Sequence, residues 1–213
     1  MYESVRNAIL TFNRELEGAT NWMYLDRKGL VTVGHGNLID PVRLALKLPF
    51  TVGKGGPLAT ADQITFEWRT MKLNRHLAQA GAIVAKRLSK LWLSDDAVQA
   101  LDLVTISANE KTIREFVPAF PGWPADAQLA VHSMSWAMGP AFFKEFPKFL
   151  HACLIQDWAT AATECHINEP GDKCIERRNE ANKKLLLAAQ TVCDESLDYG
   201  TITGWNDSSS HSS

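Results

Sequence analysis

Apolar residues recur at helical spacing from the start of the chain: Val5, Ile9, Phe12 and Leu16 fall on one face of a first helix. The period then changes. Trp22 to Leu25 and Leu30 to Val33 are short β-rich runs separated by Asp26-Arg27-Lys28-Gly29. A glycine-containing connection of this length predicts a β-hairpin with Gly29 at positive φ. Gly34, Gly36, Gly53, Gly55 and Gly56 punctuate the next stretch, so residues 34–59 are expected to be mostly loop. From Thr60 the pattern is helical almost to the end. Thr60 reads as an N-cap ahead of Asp62 and the apolar row Ile64, Trp68 and Met71. Ser94-Asp95-Asp96 opens a further helix, with Ala97, Leu101 and Val104 expected to face inward. Pro124 suits the first turn of a helix that runs toward Gly139. Asp157 is placed to cap a short helix containing Trp158, and a last long helix carries Ile175, Arg178, Asn182, Leu185, Ala189 and Val192. The polar tail NDSSSHSS is expected to be disordered.

This pattern predicts an α+β fold, mostly α, with one small hairpin in an otherwise helical chain. The expected organisation is a small N-terminal lobe at 1–59, a connecting helix at 60–80, a helical lobe at 81–205 and a tail at 206–213. A cleft between two such lobes is a favoured place for a ligand. The length, 213 residues, suits a single domain in two lobes. A formal net charge of -2 gives no global positive field for nucleic acid or an anionic membrane. It also predicts weak long-range steering toward an anionic polymer and a shallow salt dependence, unless a local basic patch restores the field. No run of eighteen apolar residues is present, so no membrane-spanning helix is expected. The N-terminal segment lacks the basic region, apolar core and cleavage site of a signal peptide.

The four cysteines, Cys153, Cys165, Cys174 and Cys193, form no CxxC pair, and no cysteine or histidine spacing suggests zinc. No metal or cofactor is assigned. Buried thiols and one or two disulfides both fit this composition. Cys174 and Cys193 lie roughly 28 Å apart if one helix carries both, too far to bridge. Cys165 and Cys174 flank a turn containing Pro170-Gly171, and a disulfide between them is expected if the protein matures in an oxidising compartment.

The candidate chemistry lies in the first forty residues. Glu17, Asp26 and Thr32 stand in the spacing Glu-x8-Asp-x5-Thr, at a helix end, a hairpin turn and a second strand. Glycosidic cleavage needs a protonated carboxyl to donate to the leaving oxygen and a second, ionised carboxylate to activate water or attack. A threonine hydroxyl can share the positioning of that water. Each placement is also ordinary for its residue type, and the spacing alone is weak.

The neighbouring residues strengthen it. Glu17-Gly18, Tyr24-x-Asp26, Gly29 and Thr32-Val33-Gly34-x-Gly36 together resemble the catalytic segment of T4-type phage lysozymes, glycoside hydrolase family 24. A fainter likeness continues through Ser135-Trp136-Ala137-Met138-Gly139, Phe146, Trp158, Ala161, Ala162 and Arg177. The resemblance implies a lysozyme-like two-lobed fold and a muramidase that inverts at the anomeric carbon. Glu17 would be the general acid, Asp26 would position water, and Thr32 would assist. His35, Asn37 and Ala137 are the residues it places near substrate. The chain departs from the family at Asn37, where a structural histidine is usual, and at Ala137, where a glutamine is usual. It is also slightly acidic where phage lysozymes are often basic. Phe120 to Gln128 resembles, less specifically, lysozyme-like modules of type VI secretion effectors.

The implied partner is the glycan strand of peptidoglycan, cut in the periplasm or cell wall of a target bacterium by a monomer, with an immunity protein as a further partner if the chain is an effector. A lytic transglycosylase and a non-catalytic wall-binding module are the competing readings. His35 can instead make a structural hydrogen bond, and Trp22 and Trp123 can pack as well as stack on sugars. Lys86, Arg87 and Lys90, and Arg177, Arg178, Lys183 and Lys184, read as solvated helix faces that can meet wall carboxylates.

Overall fold

The computed structural model describes residues 1–17 and 20–205, Glu17 by its backbone alone. Gly18, Ala19 and the tail 206–213 lie outside the described residues. The protein is α+β and mostly helical. Contacts divide it into two compact units, Met1–Leu16 together with the chain from Ile106 onward, and Glu17–Thr105. These are not the lobes expected from the pattern. Helix α1 (Glu3–Glu17) buries Val5, Ile9, Phe12 and Leu16 in the same core as Trp123, Leu129, Trp158 and Leu185. It therefore belongs with the later helices. Residues 60–93 instead share a core with Met23, Leu25, Val31 and Val33.

In the unit from Glu17 to Thr105, strands β1 (Tyr24–Leu25), β2 (Val31–Val33) and β3 (Asn37–Leu38) form an antiparallel sheet in that order. Gly29 closes the first turn at φ 73°, as expected. The stretch expected to be loop holds more than that. Helix α2 (Val42–Ala45) comes next, and β4 (Thr51–Val52) pairs with β5 (Leu91–Trp92) in a second sheet. Strands of two or three residues are too short to show alternation, so glycine punctuation hid them.

Helix α3 (Ala61–Leu73) begins with a full capping box between Thr60 and Gln63. It stops at Asn74, and two one-turn helices, α4 (Leu77–Ala80) and α5 (Ala82–Ala85), take the place of a continuous helix to residue 80. Trp68 and Lys72 lie one turn apart on α3 and reach the sheet together. The Trp68 indole N–H donates to the Ile39 carbonyl at 2.9 Å. The Lys72 ammonium donates to the Gly29 carbonyl at 2.8 Å and pairs with Asp40 at 2.8 Å. The other end of this unit is held by Glu67, a buried carboxylate that accepts from the Ser89 hydroxyl and from the backbone N–H groups of Lys90 and Leu91.

Helix α6 (Asp95–Phe116) continues from this unit into the other. Its buried face is Val98, Asp102, Ile106 and Ile113; of the expected inward row, Ala97 and Leu101 pack partly buried against the core, while Val104 is 67% exposed. An apolar-only pattern passes over Asp102, whose buried position shifts the centre of the face by one residue from Leu101.

In the other unit, α7 (Ala125–Met138) is buried on every side from Ala125 to Ser135 and stops at Gly139, φ 91°. Around it stand α8 (Pro147–Leu154), α9 (Trp158–Glu164) and α10 (Lys173–Asp194). Asp157 caps α9 by accepting the Thr160 N–H at 2.9 Å, as expected. Trp123 is buried in this core and stacks edge-on against Trp158, 5.0 Å between centroids, so it is not a sugar platform. Arg178 is likewise buried and not part of a solvated face. The last described segment returns to α7, where the Asp126 carboxylate accepts from the Thr203 and Gly204 backbone N–H groups and the Thr203 hydroxyl at 2.8–3.1 Å. Gly204 is needed there, because a Cβ would stand 2.9 Å from the Leu185 Cα.

All four cysteines are free thiols, so the expected Cys165–Cys174 bridge is not formed. The buried Cys165 thiol turns back to the Ala162 carbonyl, 3.4 Å away. Cys174 lies beyond the turn, where the Arg177 guanidinium approaches its sulfur at 3.8 Å. Among the described residues, no helix is long and apolar enough to cross a membrane.

His132 on α7 is buried, with no hydrogen-bond partner at Nε2 among the described residues. Burial pushes its pKa from 6.5 down to about 4, with Glu110 opposing the shift and the N-terminal amine adding to it. The unfolded chain therefore takes up a proton on this ring near pH 6.5 that the folded chain refuses until about pH 4. The stabilisation is complete above the unfolded pKa and is lost as pH falls through this window, by about 3 kcal/mol at its limit. Urea titrations of wild type and His132→Gln from pH 7 to 4 should show a slope of stability against pH that is shallower in the variant by about one proton.

Candidate active site

Three of the expected site residues, Glu17, Asp26 and Thr32, fall at the end of α1, in the β1–β2 turn and on β2. The Glu17 side chain lies outside the described residues. The chain from Thr20 onward is firmly held. The backbone of Thr20 exchanges two hydrogen bonds with Gly34, at 2.6 and 3.3 Å. Asn21 is held to Leu93 and Asp95 at 2.8 and 2.7 Å. The helix end itself is tied down from α10. Arg177 donates to the Leu16 carbonyl at 3.2 Å, meeting one of the orphan acceptors of a helix C-terminus. Arg178 donates to Ser133 and reaches the side chain of Asn13, one turn before Glu17.

The hairpin register brings Asp26 and Thr32 together. Thr32 lies opposite Tyr24. Cross-strand pairs share a face, and Asp26 is two residues on from Tyr24, so Thr32 and Asp26 are diagonal neighbours on one face. Both are referenced to the same peptide unit. The Leu30 N–H donates to Asp26 Oδ1 at 2.8 Å, and the Leu30 carbonyl accepts from the Thr32 hydroxyl at 3.1 Å. The Leu30 carbonyl also accepts the Asp26 N–H at 2.9 Å. Asp26 is half-buried, and its second oxygen has no hydrogen bond among the described residues. One oxygen is thus pinned by backbone and the other is open to hold a water.

His35 and Asn37 are buried and turn to α6. The His35 Nδ1–H donates to Asp102 Oδ2 at 2.7 Å. The Asn37 amide donates to the other oxygen of Asp102 and its carbonyl accepts from the Thr105 hydroxyl at 2.8 Å. These contacts are structural, and the substrate-contact roles carried by the resemblance find no support in them. Ala137 stands half-buried in the last turn of α7, in the other unit. Trp22 is half-buried, with its indole N–H on the Ala82 carbonyl at 2.7 Å and the Lys86 ammonium 4.7 Å from its ring.

Sequence reasoning did not find Leu30, Lys72, Asp40 or Asp102. Asp102 left a signal, a carboxylate at an inward position between Val98 and Ile106. Leu30 left none, because it acts through its backbone. Among the described residues, no group of three or more His, Cys, Asp or Glu is placed to hold a metal.

Asp102→Ala should cost about 2–4 kcal/mol, because two buried donors lose their acceptor together. Thr105→Val removes one hydrogen bond and should cost about 1 kcal/mol. Gly34→Ala should also destabilise, since the residue has φ 68° and an added Cβ would meet Val98 at 2.8 Å. Urea denaturation of the three variants checks the order.

Compared with known proteins, the chain matches no family model and no curated protein.

Proposed function

We propose that this protein is a peptidoglycan hydrolase, a muramidase that cuts the β-1,4 bond between N-acetylmuramic acid and N-acetylglucosamine. Glu17 is the proton donor to the leaving oxygen, Asp26 holds and activates the attacking water, and Thr32 shares that water. The observation that carries the reading is the Asp26–Leu30–Thr32 arrangement. A carboxylate with one oxygen pinned by a backbone N–H and the other open is suited to orient a single water. A hydroxyl on the same face, anchored to the same peptide unit, supplies a second point of attachment. The Glu17 role rests on its place in the sequence motif and on the firm anchoring of the segments on either side of it.

A lytic transglycosylase needs one catalytic carboxyl and leaves a 1,6-anhydro end. An Asp26 with an open oxygen has no task in that chemistry, which favours hydrolysis. A wall-binding module would need neither carboxylate. Mass spectrometry of digested peptidoglycan should therefore find reducing ends, and anhydro ends would overturn the assignment. In a turbidity assay on permeabilised Gram-negative cells, Glu17→Gln should fold normally and lose at least about a hundredfold in lysis rate. Asp26→Asn should fall by a similar order, since the amide cannot take the proton from water. Lysis at the wild-type rate by Glu17→Gln would remove the proposal.

A further inference from the structure

Large apolar side chains are left exposed unevenly. Of the fourteen among the described residues, ten lie in the unit Glu17–Thr105, which holds fewer than half of the residues. Three of the ten, Val52, Phe66 and Leu88, line one groove of about 180 Å³ between α3 and the β4–β5 sheet, together with the buried Leu91. Leu73, two turns beyond Phe66, continues the exposed side of α3, and these two are 83% and 75% exposed. Trp68 and Lys72, which hold the hairpin, lie on a different face of α3, so the exposed row has no part in that clamp. Clustered apolar surface of this kind, rimmed by polar residues, marks an interaction site.

Size and strand edges decide what fits. The groove is well below the roughly 300–1,000 Å³ of small-molecule pockets, and suits an apolar side chain or two of a protein. A strand cannot add to the sheet there. The Lys90 and Leu91 N–H groups already donate to Glu67, and the Val52 N–H donates to the Pro57 carbonyl at 2.9 Å. A helix laid in the groove needs no backbone partner. Charge decides which helix. Positions 27–90 carry eleven Lys and Arg against three Asp and Glu. Of the three, Asp40 pairs with Lys72 and Glu67 is buried and hydrogen-bonded, which leaves Asp62 exposed. At the groove, Lys90 lines one wall, Arg69 stands three residues beyond Phe66, and Arg87 directly precedes Leu88. All three are exposed, and their side chains make no hydrogen bond or ion pair among the described residues. A basic rim around an apolar floor is complementary to acidic side chains around an apolar stripe. We propose that this groove docks an amphipathic helix of an acidic partner protein. The helix lays its apolar face on Val52, Phe66 and Leu88 and its carboxylates on Arg69, Arg87 and Lys90. The groove shares no residue with Glu17, Asp26 and Thr32, so it stands or falls apart from the muramidase reading.

The test is a titration of the full chain with synthetic helical peptides, followed by amide NMR and by fluorescence anisotropy of a labelled peptide. One peptide carries Leu at i, i+3, i+4 and i+7 with Glu on its other face. A second has Lys in place of Glu, and a third has Ser in place of Leu. The Leu/Glu peptide should bind saturably, with amide shifts centred on Val52, Phe66 and Leu88. It should bind about tenfold tighter than either control at about 50 mM salt. Binding should weaken toward about 150 mM salt as the screening length falls from roughly 14 to 8 Å. Phe66→Ser/Leu88→Ser should lose about tenfold in affinity, and Arg69→Glu/Lys90→Glu should prefer the Lys peptide. Melting temperatures should stay unchanged, because all four side chains are exposed. No saturable binding, equal binding of the Glu and Lys peptides, or binding that survives Phe66→Ser/Leu88→Ser overturns the helix site. Tighter binding to phosphatidylglycerol vesicles than to the Leu/Glu peptide, lost in the same variants, would reassign the surface to a membrane and overturn it. A dimer in analytical ultracentrifugation that Phe66→Ser/Leu88→Ser abolishes would reassign it to a second copy of this chain, with the same consequence.

Discussion

Asp102 is a carboxylate placed where water cannot reach it, and the arrangement of its whole unit depends on the need to satisfy it. An unpaired buried charge costs several kcal/mol, so both oxygens must be met. His35 meets one and the Asn37 amide meets the other. His35 lies in the turn between β2 and β3 and Asn37 follows it as the first residue of β3, so satisfying Asp102 draws that turn against α6. The approach is close enough that Gly34 has no room for a side chain beside Val98. Gly34 in turn carries the two backbone hydrogen bonds that fix Thr20. One buried anion on a helix thus sets the position of β2, and β2 carries Thr32.

The hairpin is set from its other side by α3. Trp68 and Lys72, four residues apart on one helical face, hold Ile39, Asp40 and Gly29. The turn that contains Asp26 is therefore clamped at Gly29 and cross-braced at Leu30. Its precision owes little to the strands themselves, which are two and three residues long and could not hold a register alone.

This division explains what the sequence made legible. The stripe Val5, Ile9, Phe12 and Leu16 is visible because an apolar period needs no partner to be recognised, and so is the row from Ile175 to Val192. Glu17, Asp26 and Thr32 stand out because their neighbours form a compact motif within forty residues. Asp102 and Lys72 do not, because they act on residues 67 and 43 positions away, His35 and Gly29, and no local pattern encodes that pairing. The same long-range satisfaction misled the reading of charge. Arg178 looks like a surface cation in a basic run, yet Ser133 and Asn13 accept from it inside a core. The unit boundaries were misplaced for a related reason. Helix α1 is next to the hairpin in sequence, but its apolar stripe is complementary to helices that begin more than a hundred residues later.

The β1–β2 turn carries positive charge at three adjacent places: Arg27, Lys28 and, across from them, Lys72. Like charges so close would ordinarily splay a turn. Here its shape does not depend on them. Gly29 supplies the left-handed residue, its carbonyl is held by Lys72, and its N–H donates to the Asp26 carbonyl at 2.9 Å. Asp40 offsets Lys72 at 2.8 Å, and Lys28 has no counter-charge among the described residues. A turn built from backbone and one internal ion pair can afford an exposed cation that contributes nothing to its stability.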